Sequence, residues 1–167
     1  AFLAGAEAYV IRDSLESFTG IKRRFDFQIR EGKTIYIDDY AHHPEEIKAC
    51  INSVRHIFPG KAITCVFQPH LYSRTSDLAA EFAESLDLSD EVILLDIYPA
   101  REESIPGVTS EIIFNKMKLK QKKLIVKEQL MNILPGIHTD ILITMGAGNI
   151  DQYVEPIKNY LLYEKKI

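Results

Sequence analysis

Cysteine is scarce in this chain: two among 167 residues, Cys50 and Cys65, 15 positions apart. That count and spacing exclude a disulfide framework and a cysteine-built metal centre, and leave two free thiols buried in a protein of a reducing compartment. No apolar run approaches the ~20 residues that a membrane-spanning helix needs. Residues 1–13, AFLAGAEAYVIRD, lack the basic head of a secretory leader. Positive charge is not in excess either. A net charge of −4 removes the basic face on which general nucleic-acid binding rests, and the one locally basic run, KMKLKQKKLIVK at 116–127, reads as a solvated helix-to-strand connection. The phosphate-cradling pattern G-x-x-x-x-G-K-[ST] is missing, so any nucleotide must have its phosphates held elsewhere. No Ser–His–Asp or Cys–His arrangement is suggested by order or local context.

What is present suits a soluble domain with a sizeable core: 46% apolar and 26% charged residues. The chain starts with Ala rather than Met, in mid-helix by pattern, as a piece of a longer protein would. Residues 2–18 read as a helix with Leu3, Ala6, Val10, Ile11, Leu15 and Phe18 on its apolar side, ending at Thr19-Gly20. Strands at 25–30 and 34–40 flank the turn EGK. Pro44 opens a helix over 45–58, which Pro59-Gly60 stops. AITCVF (62–67) and EVILLDI (91–97) are apolar runs of the kind buried on both faces of a parallel sheet, and KLIV (123–126) and DILITM (140–145) continue the series. Helices over 73–86, 110–117, 128–134 and 149–163 alternate with them, the last interrupted by Pro156. The alternation predicts an α/β fold, a Rossmann-like doubly wound, mostly parallel sheet of about six strands flanked by helices.

In such sheets ligands bind beyond the carboxyl ends of the strands, and the unusual residues fall there. In DDYAHHPEEI (38–47), Asp38 and Asp39 suit a ribose or a metal-bound phosphate, and His42 and His43 suit a carboxylate. The competing reading is a helix N-cap before Pro44, with Glu45 and Glu46 favoured by the helix dipole; the two are compatible. Zinc is disfavoured, because adjacent histidines seldom share an ion and no third ligand has supporting spacing. In FQPHLYSRTSD (67–77), Ser73 or Thr75 is placed to cap a helix whose start would favour an anion, and Arg74 to clamp a carboxylate or phosphate; a surface arginine and a loop His70 are the alternative. TMGAGN is a tight strand–turn–helix element, and GIKRRFDF (20–27) is either a basic hinge or a solvated linker.

Taken together, SLESFTGIKRRFDF, DDYAHHPEEI, FQPHLYSRT, DEVILLDIYPAREESIPGVTS and TMGAGNI resemble, in order and spacing and over nearly the whole chain, the C-terminal domain of the Mur ligases. The loop QPHLYSRT favours the branch that adds L-alanine to UDP-N-acetylmuramate in peptidoglycan synthesis over the branch that recycles muropeptides. The resemblance implies a cytoplasmic, ATP-dependent carbon–nitrogen ligase serving the cell wall, and thereby cell shape and division. Three domains share the work, one for the UDP-sugar, a central ATPase and this one. Residues 1–19 would end the central domain and 20–167 form the amino-acid-binding domain, inactive alone. The implied chemistry is an acyl phosphate on the muramoyl carboxylate, attacked by the amine of L-alanine, with Mg2+ held mainly by the central domain and no metal in this chain.

By motif, the resemblance places Arg24 and Asp39 in catalysis at the ATP, with Tyr40 beside them. It places Tyr40, His42, His70 and Arg74 around L-alanine, Arg74 on its carboxylate. Leu71 departs from members that carry a second arginine there. The implied partners are ATP, L-alanine, UDP-N-acetylmuramate and the N-terminal and central domains of the same polypeptide, with neither nucleic acid nor membrane. A stand-alone Rossmann-type module binding a nucleotide or acidic ligand, or a scaffold whose rim is a protein interface, are the rival readings.

Overall fold

The computed structural model describes residues 1–18 and 20–164, so the expected helix stop at Thr19 lies outside the described residues. The strands are β1 (Asp26–Ile29), β2 (Ile35–Asp39), β3 (Ile63–Phe67), β4 (Glu91–Leu94), β5 (Lys122–Leu124) and β6 (Ile141–Met145), in the spatial order β1-β2-β6-β3-β4-β5. All neighbours are parallel except β1, which pairs antiparallel with β2. The helices are α1 (Ala8–Glu16), α2 (Pro44–Ile57), α3 (Tyr72–Asp77), α4 (Ala79–Leu86), α5 (Glu111–Phe114), α6 (Leu130–Ile133) and α7 (Val154–Asn159).

Side-chain alternation along the central strands creates two cores, as strands covered on both faces require. Ile37, Cys65, Phe67, Leu94 and Ile143 point toward Ile47, Ile51, Phe82 and Ile113 on α2, α4 and α5. Their neighbours Tyr36, Val66, Ile93 and Leu142 point toward Leu130, Val154 and Ile157 on α6 and α7. Both cysteines are free and buried, and burial raises both thiols out of the reactive range.

Several elements depart from their expected form. The stretch 2–18 splits into a 3-10 turn (Phe2–Ala4) and α1, neither with a buried residue. The helix expected over 73–86 breaks at Leu78, giving α3 and α4. The sequence 149–163 becomes a 3-10 turn (Asn149–Tyr153), α7 and a π-helical turn (Tyr160–Glu164). Pro156 sits in the first turn of α7, where its missing N–H would have no intrahelical acceptor.

The topology decides where chemistry can gather. Because β2, β6, β3 and β4 are parallel, residues 40–42, 68–70, 95–98 and 146–148 leave the sheet at one rim. Antiparallel pairing sets Asp26, at the start of β1, opposite Asp38 near the end of β2, so the basic segment 22–24 arrives at that rim from outside the parallel set. The helices that follow β2 and β6 cover opposite faces, which opens a crevice at this switch point.

Candidate functional site

A row of rings crosses the rim. Tyr40 meets His42 edge-on at 5.4 Å between centroids, and His42 meets His70 at 6.0 Å. His70 stacks on Tyr98 at 5.7 Å and 28°. The guanidinium groups of Arg23 and Arg24 lie 5.0 and 5.1 Å from the Tyr40 ring. Five of the six residues expected at the site thus stand in or against one wall, namely Arg24, Tyr40, His42, His70 and, immediately behind Tyr40, Asp39.

Asp39 turns its carboxylate inward. Oδ2 accepts the N–H of Phe25 at 2.6 Å and Oδ1 that of Ala41 at 2.7 Å, while the Tyr40 N–H donates to Arg23 O at 2.8 Å. These bonds sew segment 23–25 to the end of β2. They hold Arg23 and Phe25 at φ 61° and 48°, a region costly for side-chain-bearing residues. Arg24, the exposed member between them, lies over the Tyr40 ring.

Asp38 departs from the expectation that it binds a ribose or a metal-bound phosphate. It is fully buried, accepts the Thr144 hydroxyl at 2.6 Å and receives Arg23 Nε at 3.3 Å. Burial raises its carboxyl above the usual range, against the opposing effects of Thr144 and Arg23. Arg23 also donates to Gly146 O at 2.6 Å and lies 3.6 Å from Asp151. Of the two neighbouring arginines, Arg23 is therefore the structural one and Arg24 the available one.

His42 and His43 do lead into a helix start. Glu46, the third residue of α2, accepts their N–H groups at 2.9 and 3.2 Å. Glu46 is held below the usual carboxylate range: burial works upward, and the His42 and His43 N–H bonds and nearby cations outweigh it. His42 Nδ1 lies 3.0 Å from Tyr40 O and 3.3 Å from Glu46 Oε2. A proton on Nδ1 serves both acceptors and leaves Nε2 as the acceptor-capable nitrogen.

The loop after β3 differs from expectation in its cap. Neither Ser73 nor Thr75 caps α3: Thr75 bonds back to Leu71 O at 2.7 Å, and Glu102, from the loop after β4, takes the Ser73 N–H at 3.0 Å and its hydroxyl at 2.5 Å. Leu71, where a second arginine was a possibility, occupies φ 73° and ψ 134° at the turn into α3. On either side of it stand His70 and Arg74, and His70 Nδ1 and Arg74 Nη1 are buried without a hydrogen-bond partner among the described residues. Burial, Arg74 and His42 together lower the pKa of His70, so it stands neutral beside a cation. Two unspent polar groups of this kind suit a small ligand that carries a carboxylate.

Tyr98 was not singled out from sequence. Its ring fills the space left by Gly148, where a Cβ would fall 2.7 Å from the Tyr98 Cβ. A cavity of about 620 Å³ lies elsewhere, between the loops after β4 and β5. Its charged lining is Asp96 and Glu111 with no cation, which is unsuited to phosphate or carboxylate. No group of three His, Cys, Asp or Glu among the described residues could hold a metal ion.

Comparison with known proteins identifies the family. The family model described as Mur ligase, glutamate ligase domain, matches residues 23–148. A UDP-N-acetylmuramate–L-alanine ligase of Cytophaga hutchinsonii is 48% identical over 166 residues, 99% of this chain and 35% of its own length. The protein of that name from Porphyromonas gingivalis strain W83 is 48% identical over 162 residues, 96% and 36% of the two chains. The crystal structure of a UDP-N-acetylmuramate-alanine ligase from Thermotoga maritima superposes with a TM-score of 0.79 at 25% identity, over 98% of this chain and 35% of that one. A folylpolyglutamate synthase from the same organism shares the fold, with a TM-score of 0.61 at 15% identity. The chain thus spans about a third of the length of the curated relatives it matches.

Proposed function

Since the chain belongs to the Mur ligase family through its glutamate ligase domain, we propose that it is the acceptor-binding part of a cytoplasmic, ATP-dependent ligase joining L-alanine to UDP-N-acetylmuramate. Residues 1–19 then end a preceding ATPase domain, and residues 20–167 form the domain that presents the amino acid. The observation that carries this reading is the pair of buried, unpartnered atoms, His70 Nδ1 and Arg74 Nη1. Two such atoms, one in the loop after β3 and one in the first turn of α3, are costly unless a ligand satisfies them.

In this reading Arg74 holds the alanine carboxylate, with His70 neutral beside it. The His42 ring closes the pocket toward Tyr40. Arg24 meets the phosphates of ATP, and Tyr40 offers its ring to the nucleotide. Asp39 serves catalysis by holding the backbone that aims Arg24. ATP, with Mg2+ bound by the rest of the protein, supplies the phosphoryl group that activates the muramoyl carboxylate. The alanine amine must enter as the free base, and its orientation by Arg74 and the ring wall turns an encounter into a directed attack. Negative charge develops on the departing phosphate, where an unspent arginine is worth most.

The deciding measurement is phosphate release by the full-length protein with UDP-N-acetylmuramate, ATP and magnesium, comparing L-alanine with glycine, L-serine, D-alanine and a muropeptide. Turnover fastest with L-alanine supports the proposal, and preference for the peptide moves the chain to the recycling branch. Arg74→Ala should raise the KM for L-alanine by about tenfold or more while leaving that for ATP within about twofold. An unchanged KM for L-alanine would remove Arg74 from the pocket.

A further inference from the structure

We infer that Tyr98 is a positioning residue of the acceptor pocket, acting through His70 and the strained turn at Leu71. This rests on the proposed acceptor role of the His70–Arg74 loop. The loop after β3 has no regular partner of its own. A parallel bridge between His70 and Tyr98, beyond the last paired residues of β3 and β4, restrains it at His70 itself.

At that bridge the Tyr98 N–H donates to Pro69 O at 2.8 Å, and Tyr98 O accepts the Leu71 N–H at 3.0 Å. One residue of the neighbouring loop thus grips the backbone on both sides of His70. Its ring then takes the imidazole face to face, 5.7 Å between centroids at 28°. Leu71 stands at φ 73°, a conformation that persists only where its surroundings over-determine it. The Tyr98 carbonyl supplies one restraint, and the Thr75 N–H and hydroxyl, both donating to Leu71 O, supply the others.

Two further features make the ring, and not the backbone alone, the positioning element. Gly148 leaves room for it: an added Cβ would fall 2.7 Å from the Tyr98 Cγ and 2.6 Å from Gln68 Oε1. And among the described residues the imidazole Nδ1 has no hydrogen-bond partner, while His42 meets the ring edge-on. A stacked ring sets the plane of His70 without consuming either nitrogen, which keeps Nδ1 free for the ligand.

The experiment uses the full-length enzyme, with Tyr98→Phe, Tyr98→Leu and Tyr98→Ala assayed for KM against each substrate and for kcat. If Tyr98 positions His70 through its face, Phe stays within about twofold of wild type, and Leu and Ala raise the KM for L-alanine by about tenfold, with the KM for ATP and the melting temperature of the Leu variant little changed. Tyr98→Leu preserves a large side chain at the site, so the test survives if the Ala variant fails to fold. An alanine KM unchanged in the Leu variant overturns the inference. So does a parallel rise in the KM of every substrate, which marks a general loss of structure. The underlying reading fails separately, if wild-type turnover does not depend on L-alanine at all.

Discussion

At the scale of single residues, the site works by separating charges that are spent from charges that are not. Arg23 and Asp38 are paired in the interior, while Arg74 Nη1 is buried with no hydrogen-bond partner among the described residues. His70 reports this field, and the sign of its effect can be worked out. Its folded pKa lies below the ordinary 6.5, so on acidification the unfolded chain takes up a proton before the folded one does. Folded stability from this group is therefore fully present above pH 6.5 and is lost as pH falls through the depressed folded value. We expect the His70 ring resonances, followed by NMR against pH, to titrate below 6.5 in the ligand-free protein. A bound carboxylate should move the midpoint upward, because it reverses the local field set by Arg74. A free-state midpoint at or above 6.5 would mean that the imidazole is hydrated and not packed as described.

Much of the arrangement of elements was legible in the sequence, and the exceptions have physical reasons. The runs at 62–67, 91–97 and 140–145 are apolar without alternation, which only strands covered on both faces produce, and β3, β4 and β6 occupy the centre and near-centre of the sheet. The capping of α3 by Glu102 was not legible, because it depends on a loop about 30 residues away. Asp38 and Asp39 are adjacent acids that sequence cannot rank; strand alternation sends the first into the core and leaves the second at the edge. Likewise TMGAGN announced a tight turn but not its reason. Gly146 has φ +146°, and a Cβ there would lie 2.8 Å from Gln68 O, a backbone atom that cannot swing away. Its own carbonyl receives Arg23. Gly146→Ala should therefore destabilise the fold by about 2–4 kcal/mol, read from urea unfolding. A cost near zero would show that the junction of β6 with β3 and segment 23–25 can open without loss.

On the scale of the whole molecule, α1 is the element that the rest of this chain does not explain. It buries no residue, and Leu15 and Phe18 remain 69% and 61% exposed, as Phe2, Leu3 and Tyr9 are exposed too. Isolated helices of nine residues are marginal in water, so an apolar stripe of this kind needs a surface to lie on. If that surface is the preceding ATPase domain, α1 contributes nothing to the two cores of the sheet. Deleting residues 1–18 from this chain should then leave its urea midpoint unchanged and reduce self-association. In the full-length protein, Leu15→Asp combined with Phe18→Asp should lower both the unfolding midpoint and the rate of ligation, because the helix would no longer be anchored where the moving domain joins its neighbour. A truncated chain that loses its cooperative transition would reverse the assignment, placing α1 in the domain that holds the ring wall and moving the boundary away from Gly20.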